Sequence, residues 1–229
     1  MTRLGPPHHR HPIGVALRAL GCAAILGLWP LAAALAEGER SGAFDHWVLA
    51  LSWSPSWCAR ADAGDAAEQC DPAADFGWIL HGLWPQYADG WPSYCRAAPA
   101  PPSRAQTRAM ADIMGSAGLA WHQWKKHGSC AGLPASAYFA LARRAFAGIA
   151  LPDPIGEAAA PARMSAAAIE ASFLAANPGF APETVTVTCR DGRLQELRLC
   201  LDRERLDPIA CGRHAARDCT GMLTVPPIP

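Results

Sequence analysis

Cysteines constrain the fold of this chain more than any other residue type. One of the nine, Cys22, lies in an apolar N-terminal segment, and the rest lie beyond it. These eight are Cys58, Cys70, Cys95, Cys130, Cys189, Cys200, Cys211 and Cys219. An even number of cysteines after an apolar leader is typical of an exported domain held by disulfides. A structural zinc cluster is the alternative, but the sequence contains no CxxC pair and therefore favours disulfides.

The first 36 residues predict an export signal. Positive charge precedes an apolar run, Leu20–Leu35, and small residues at its end predict cleavage near Ala36. A membrane anchor is the alternative, but the run is short for a span and is interrupted by Pro30. We therefore expect residues 1–36 to be a signal peptide. Residues 37–229 would then form one domain, located in the periplasm or outside the cell and no longer attached to a membrane.

Charge argues against a protein that holds nucleic acid by general electrostatic attraction. The chain has 20 basic and 20 acidic residues, and the predicted leader contains three arginines and no acid. Its removal would leave 17 basic and 20 acidic residues, a formal charge of −3. Proteins that bind RNA mainly through its phosphates are strongly basic. Any contact with RNA would therefore be local, which suits an enzyme better than a packaging protein.

Apolar runs, alternation and turn residues predict the secondary structure. The predicted strands are His46–Trp53, Gly77–Leu83, Thr184–Cys189 and Leu194–Leu201, the last two joined by a turn at Asp191-Gly192. The predicted helices run from Ser103 to about Met114, from Ser136 to about Ile149 and from Ser165 to about Ala176, with Gly115 and Gly118 as breaks. Gly77–Leu83 has the pattern of a central strand. This order predicts an α+β fold, with helices packed on a central, mostly antiparallel sheet in a single disulfide-stapled domain.

Two short segments concentrate the histidines and lysines of the chain. They are WILHGLWPQ at 78–86 and WHQWKKHGSC at 121–130. Together they contain three of the five histidines outside the leader and the only two lysines, Lys125 and Lys126. Taken alone, His81 in an apolar strand is more often a core residue than a catalyst, and a lysine pair is usually solvated. Their concentration in a chain that otherwise uses arginine favours a site.

The histidine spacing does not indicate a metal centre. His122 and His127 would lie about 140° apart on an ideal helix, and no HExxH pattern occurs. Neither segment contains an acidic residue that could complete a metal site. We therefore expect no metal and no cofactor. A metal-dependent nuclease or phosphatase is the weaker alternative.

Two histidines and a lysine can cleave RNA without a metal. Histidine titrates near neutral pH, so one imidazole can accept a proton while another donates one. A lysine can stabilise the charge of a pentavalent phosphate. RNA carries its own nucleophile, the 2′-OH beside each phosphate. Only deprotonation of that oxygen, charge neutralisation and protonation of the leaving 5′-oxygen remain for the enzyme.

The two segments resemble the active-site segments of the ribonuclease T2 family. The family patterns are close to HGLWP and HEWxKHGxC, and this chain has HGLWP at 81–85 and HQWKKHGSC at 122–130. The eight cysteines, the leader and the SWSPSWC stretch at 52–58 agree with the family. The resemblance implies a secreted α+β endoribonuclease that cleaves single-stranded RNA through 2′,3′-cyclic phosphates to 3′-phosphate ends, with low base specificity. We expect it to act as a monomer.

The resemblance also implies a role for each residue of the catalytic set. His127 would be the general base on the 2′-OH, and His81 the general acid for the 5′-oxygen. Lys126 would stabilise charge on the phosphorane, and His122 would bind the phosphate. Lys125 fills a variable position and would be solvated.

Base contacts and disulfide pairs follow from the same resemblance. Trp84 would stack on a base, which tolerates many bases, while Gln86 and Trp91 would adjust base preference. The implied disulfides are Cys58–Cys70, Cys95–Cys130, Cys189–Cys219 and Cys200–Cys211.

One residue of the catalytic set departs from the family pattern. Gln123 stands where the family usually has glutamate, which is thought to act on the phosphate together with the lysine. A glutamine can still donate a hydrogen bond to a phosphate oxygen but cannot exchange a proton. We expect activity to survive, weaker or with an altered acid limb. The alternative is a catalytically weakened RNA-binding or signalling protein on the same scaffold.

Overall fold

One mixed sheet organises the fold, and the first apolar run after the leader forms its best-buried strand. The computed structural model describes residues 39–60, 68–96, 98–156, 158–212 and 219–228. Within them the strands are β1 (His46–Trp53), β2 (Trp78–Gln86), β3 (Ala162–Ser165), β4 (Val185–Arg190), β5 (Arg193–Asp202) and β6 (Met222–Val225). The strand order is β2-β1-β5-β6-β3, and β4 also pairs with β5. Every pair is antiparallel except β5 with β6.

Residues 37–229 group into one compact unit. The predicted leader, residues 1–36, and its cleavage site lie outside the described residues, so the signal peptide stays a prediction. In the part of the chain that the structure describes, no helix has the length and apolar character needed to cross a membrane.

Four helices contribute buried side chains to the main core, out of the six that the described residues form. The six are α1 (Ser54–Cys58), α2 (Arg104–Arg108), α3 (Ala111–Met114), α4 (Ala117–Lys126), α5 (Ala135–Ala147) and α6 (Ala166–Ala176). Short 3₁₀ turns lie at Glu68–Cys70, Pro72–Ala74, Gly128–Cys130 and Pro182–Thr184. The Tyr138 hydroxyl of α5 donates a buried hydrogen bond of 2.9 Å to the carbonyl of Leu83 in β2. The predicted α+β class, with helices on a mostly antiparallel sheet, is confirmed.

The two faces of β1 serve different purposes. Trp47, Leu49 and Leu51 point to one face, are at most 2% exposed, and join the main core with the helices. Val48 points to the other face and packs with Cys200 of β5 in a small separate cluster. That second face carries the site described below.

β2 is an edge strand and continues to Gln86, so the prediction of a central strand ending at Leu83 is wrong on both points. The strand is apolar because α5 and the other helices cover it, and this burial resembles that of a central strand. Pro85 pairs with Trp47 inside the strand. Proline has no N–H to donate, and an edge strand tolerates it because one side has no partner strand.

The predicted helix over 103–114 is two short helices. The Ser103 side chain caps α2 as expected, accepting from the Gln106 N–H at 3.2 Å. The first helix ends at Arg108, and the Arg143 guanidinium of α5 donates to the carbonyl of Ala109 just beyond it. A new helix, α3, then begins at Ala111.

Two other helix starts differ from the prediction. α4 contains Gly118, which the sequence indicates as a break. The Ser116 hydroxyl accepts from the Leu119 N–H at 3.1 Å, and this cap offsets the cost of about 1 kcal/mol for a helical glycine. α5 begins at Ala135, directly after Pro134, so Ser136 lies inside the first turn and is not its cap.

Four disulfides join the described cysteines, in the pairs that the family resemblance implies. They are Cys58–Cys70, Cys95–Cys130, Cys189–Cys219 and Cys200–Cys211. The Cys95–Cys130 bridge ties the chain beyond β2 to the 3₁₀ turn after α4. It therefore links the two segments that contain the histidines.

Candidate active site

A β-bulge in the pairing of β1 with β2 sets the position of His81. Ala50 pairs with Gly82 and Leu51 pairs with Leu80, so His81 is the extra residue between two consecutive pairs. A bulge redirects a side chain, and bulges are frequent next to active sites. The bulge explains why a histidine can occupy an apolar strand: its side chain is 28% exposed and faces a cavity.

The end of α4 supplies the second histidine segment. Gln123 and Lys126 lie in the last turns of the helix, and His127 is the first residue beyond it. His127 and Gln123 are buried, with exposed fractions of 4% and 2%. Lys125 points outward, as expected from the sequence, and its ammonium lies 5.9 Å from the ring of Trp121.

One cavity of about 320 Å³ brings together all the residues predicted to form the site. Its walls include His81, Trp84, Gln86, Trp91, His122, Gln123, Lys126 and His127. The two sequence segments therefore meet in space, as acid–base catalysis on one phosphate requires. The role of each residue stays a prediction.

The ring of Trp84 lies between the imidazole rings of His81 and His127. The indole ring stacks on the imidazole of His127, with centroids 5.0 Å apart and planes inclined by 24°. The His81 ring meets it edge-on, with centroids 5.2 Å apart. The Trp84 indole N–H donates to the side-chain oxygen of Gln123 at 2.7 Å. Trp84 therefore contacts His81, His127 and Gln123 at once.

The hydrogen bond between Trp84 and Gln123 requires a glycine at position 82 of the HGLWP segment. A Cβ atom at Gly82 would lie 2.5 Å from both the Gln123 oxygen and the Trp84 indole nitrogen. Such contacts are shorter than real Cβ atoms make, so any larger residue would displace the pair.

His127 has the surroundings of a neutral imidazole. Its Nδ1 atom is buried and has no hydrogen-bond partner among the described residues. Burial, followed by the positive charges of Lys126, His81 and His122, lowers the pKa of His127 to about 3. The pKa of His122 is also lowered, by burial first and then by Lys126, Lys125 and His81. A neutral ring is the form that can accept a proton.

Glu196 and Arg198 of β5 are the parts of the site that the sequence did not predict. A carboxylate oxygen of Glu196 lies 2.5 Å from Nδ1 of His81. Its other oxygen accepts from the Arg198 guanidinium, at 2.9 Å from Nε and 2.8 Å from Nη2. Burial alone would raise the pKa of Glu196, but His81 and Arg198 lower it to about 2. Glu196 is therefore an ionised, buried carboxylate.

A signal for this pair was present in the sequence. Glu196 and Arg198 alternate with Leu197 and Leu199, so they lie on the opposite face of the predicted strand. An opposite-charge pair two residues apart, on a strand flanked by apolar residues, usually faces water. Only the strand order shows that this face lies near His81.

A second, larger cavity of about 620 Å³ borders two of the three histidines. His81, His122 and Glu196 line both cavities. The larger one continues along Trp57, Arg60, Leu119 and Arg190. His81 and His122 therefore lie where two cavities meet.

The described residues contain no group of three or more His, Cys, Asp and Glu side chains arranged to hold a metal ion. Glu196 is the one acidic residue among those described residues that line the smaller cavity, and both of its oxygens are engaged by His81 and Arg198.

Comparison with known protein families shows to which family the chain belongs. The sequence model of the Ribonuclease T2 family matches residues 44–211, most of the chain and both histidine segments. The chain belongs to the ribonuclease T2 family. Membership agrees with the resemblance found in the sequence.

Several known ribonucleases match part of the chain. A "Ribonuclease" of Aeromonas hydrophila is 41% identical over 118 residues, which cover 52% of this chain and 52% of the relative. A "Probable ribonuclease" of Haemophilus influenzae is 38% identical over 122 residues, covering 48% and 44%. The alignments thus span about half the length of these relatives.

Solved structures show the same fold over nearly their whole length. Trichomaglin, described as an S-like ribonuclease, has a TM-score of 0.65 at 20% identity, covering 82% of this chain and 100% of its own. The RNase-related protein from Calystegia sepium has a TM-score of 0.62 at 18% identity, covering 82% and 98%. RNase NT, solved with 5′-AMP, has a TM-score of 0.57 at 22% identity, covering 81% and 99%.

Proposed function

We propose that this chain is a secreted endoribonuclease that cleaves single-stranded RNA by metal-independent acid–base catalysis. The observation that carries the proposal is that two histidines in one cavity have contrasting surroundings. His127 is buried among cations, which favours its neutral form, whereas His81 is hydrogen-bonded to an ionised carboxylate. Two titratable groups with contrasting surroundings are typical of a base and an acid that work together.

The first chemical step would use the 2′-OH of the RNA as nucleophile. His127 takes the 2′ proton, the 2′-oxygen bonds to phosphorus, and the 5′-oxygen leaves with a proton from His81. Lys126 and His122 stabilise the charge that develops on the phosphate oxygens. The product is a 2′,3′-cyclic phosphate.

The second step would reverse the proton transfers. His81, now neutral, removes a proton from water as the water oxygen bonds to phosphorus, and His127 protonates the 2′-oxygen as its bond to phosphorus breaks. The product is a 3′-phosphate end. Each positioned acid or base contributes about 10²–10⁴ in rate.

The two cavities suit the two nucleosides that a phosphodiester joins. The smaller contains Trp84, Gln86 and Trp91, and 47% of the Trp91 side chain is exposed. Stacking on an aromatic ring accepts any base, so low base specificity follows. Because the domain has no excess of positive charge, binding depends on these local contacts.

Export and a monomeric state complete the proposal. Eight paired cysteines suit an oxidising compartment, and cleavage near Ala36 would release the domain from the membrane. The site is built from one chain, so a monomer contains everything that the proposed reaction needs.

The test is an assay of the purified protein on single-stranded RNA in EDTA, with His81→Ala and His127→Ala variants. Cleavage in EDTA by the wild type and loss of at least about 100-fold in each variant support the proposal. Absence of cleavage by the wild type would support an RNA-binding protein. Cleavage that requires added metal would support a metal-dependent nuclease.

A further inference from the structure

We infer that Glu196 is a positioning residue for the proposed general acid: it holds the His81 ring so that Nε2 delivers the proton to the leaving 5′-oxygen. The inference rests on the proposed function and extends it to a residue outside both histidine segments.

Strand register brings the two side chains together. Glu196 on β5 pairs with Ser52 on β1, and Ser52 pairs in turn with Ile79 on β2. The His81 bulge follows two residues later on β2. The side chain of His81 therefore reaches Glu196 across β1, although 115 residues separate them in the sequence.

Glu196 is too deeply buried to be an ordinary solvated surface carboxylate. Its side chain is 1% exposed, whereas that of His81 is 28% exposed. A buried carboxylate is unfavourable unless its oxygens are hydrogen-bonded, and both oxygens here accept from charged or chargeable donors. Arg198 therefore holds Glu196, and Glu196 in turn holds His81.

The hydrogen bond determines which nitrogen of His81 can act. An ionised carboxylate can only accept, so Nδ1 of His81 must carry a hydrogen. Nε2 is then the atom left to face substrate, and it carries a proton when the ring is charged. Transfer of that proton to the 5′-oxygen leaves a neutral ring that still donates from Nδ1 to Glu196. The carboxylate itself gains no proton.

Substrates that differ in leaving group distinguish positioning of an acid from a structural role. The 5′-oxygen of RNA needs a proton to leave, whereas 4-nitrophenolate leaves without one. A residue that positions the general acid therefore affects cleavage of a dinucleotide but not of a uridine 3′-(4-nitrophenyl phosphate). A residue that merely maintains the cavity affects both substrates equally.

The experiment compares wild type, Glu196→Gln and His81→Ala on both substrates in EDTA. Glutamine matches glutamate in size but can accept from only one of the two partners. We expect Glu196→Gln to lower kcat/KM on the dinucleotide by about 10- to 100-fold and on the nitrophenyl ester by less than about threefold. His81→Ala should show the same selectivity with a larger loss. Glu204→Gln, the same change at an exposed glutamate beyond β5, should alter neither.

Each contrary result has its own meaning. Equal losses on both substrates, or no loss on either, would overturn the positioning role while leaving the proposed function intact. A wild type that cleaves neither substrate would overturn the proposed function and the inference together. Thermal unfolding is measured in parallel, and all kinetics are compared at a temperature at which wild type and Glu196→Gln are both folded.

Discussion

The indole ring of Trp84 stacks on the imidazole ring of His127 at 5.0 Å, and its N–H is bonded to Gln123. One side chain from β2 thus organises two side chains at the end of α4. The HGLWP and HQWKKHGSC segments are therefore interdependent parts of one structure.

Trp84→Phe should separate the stack from the hydrogen bond. Phenylalanine keeps an aromatic ring beside His127 but leaves the buried Gln123 oxygen without its donor. We expect the free energy of unfolding to fall by about 1–3 kcal/mol, measured by chemical denaturation. Trp57→Phe changes an exposed tryptophan in the larger cavity and serves as control. Equal, negligible effects in both variants would show that the hydrogen bond contributes nothing to stability.

Gln123→Glu should restore an ionisable group next to Lys126 without removing the acceptor for Trp84. We expect a higher kcat/KM and a changed acid limb of the pH–rate profile, because a carboxyl group can exchange a proton and an amide cannot. Gln106→Glu makes the same change at the exposed start of α2, where glutamate also completes a capping box. An unchanged rate and profile in Gln123→Glu would exclude a catalytic part for residue 123.

Stability should depend on pH through His127. The unfolded chain protonates this histidine below about pH 6.5, whereas the folded protein does so only near pH 3, because burial and nearby cations lower its pKa. The free energy of unfolding therefore decreases as the pH falls from about 6.5 to about 3, by about 1.4 kcal/mol per pH unit.

Chemical denaturation of wild type and His127→Asn between pH 7 and pH 5 measures the contribution of His127 to the pH dependence of stability. The wild type should lose about 2 kcal/mol more than the variant over that interval. Other titrating groups are common to both proteins and cancel in the difference. Parallel curves for the two proteins would mean that His127 is not held in its neutral form.

Removal of the Cys95–Cys130 disulfide should damage activity as well as stability. The bridge closes a separation of 35 residues and ends in the turn directly after His127. We expect a Cys95→Ala, Cys130→Ala double variant to lose about 2–4 kcal/mol of unfolding free energy and to have a lower kcat.

The Cys189–Cys219 bridge offers a matched control, with a separation of 30 residues. Its double alanine variant should lose similar stability but keep kcat at temperatures where the protein stays folded. Equal kcat losses in both double variants would show that the Cys95–Cys130 bridge has no special link to the site.

Much of this site was predictable because local sequence carries its chemistry. The histidines, Lys126 and Trp84 lie in two dense segments, and the cavity contains all of them. The β1 strand and the β4–β5 hairpin were equally visible, since apolar runs, alternation and an Asp-Gly turn report on local conformation.

The remaining features depend on strand order, which local patterns do not encode. The pairing of Glu196 with His81 requires β5 to lie beside β1, and the bulge at His81 appears only in the register of β1 with β2. The edge position of β2 was missed because helices bury it. The strands β3 and β6 are four residues each, too short for alternation to be recognised.

The most direct test of the proposed chemistry follows the phosphorus through one reaction. A dinucleotide is incubated with the wild-type protein in EDTA and monitored by phosphorus NMR. The proposed chemistry predicts that a 2′,3′-cyclic phosphate accumulates first and then converts to a 3′-phosphate. Direct appearance of a 5′-phosphate, or of a 3′-phosphate without the cyclic species, would contradict catalysis by His127 and His81 through the RNA 2′-OH.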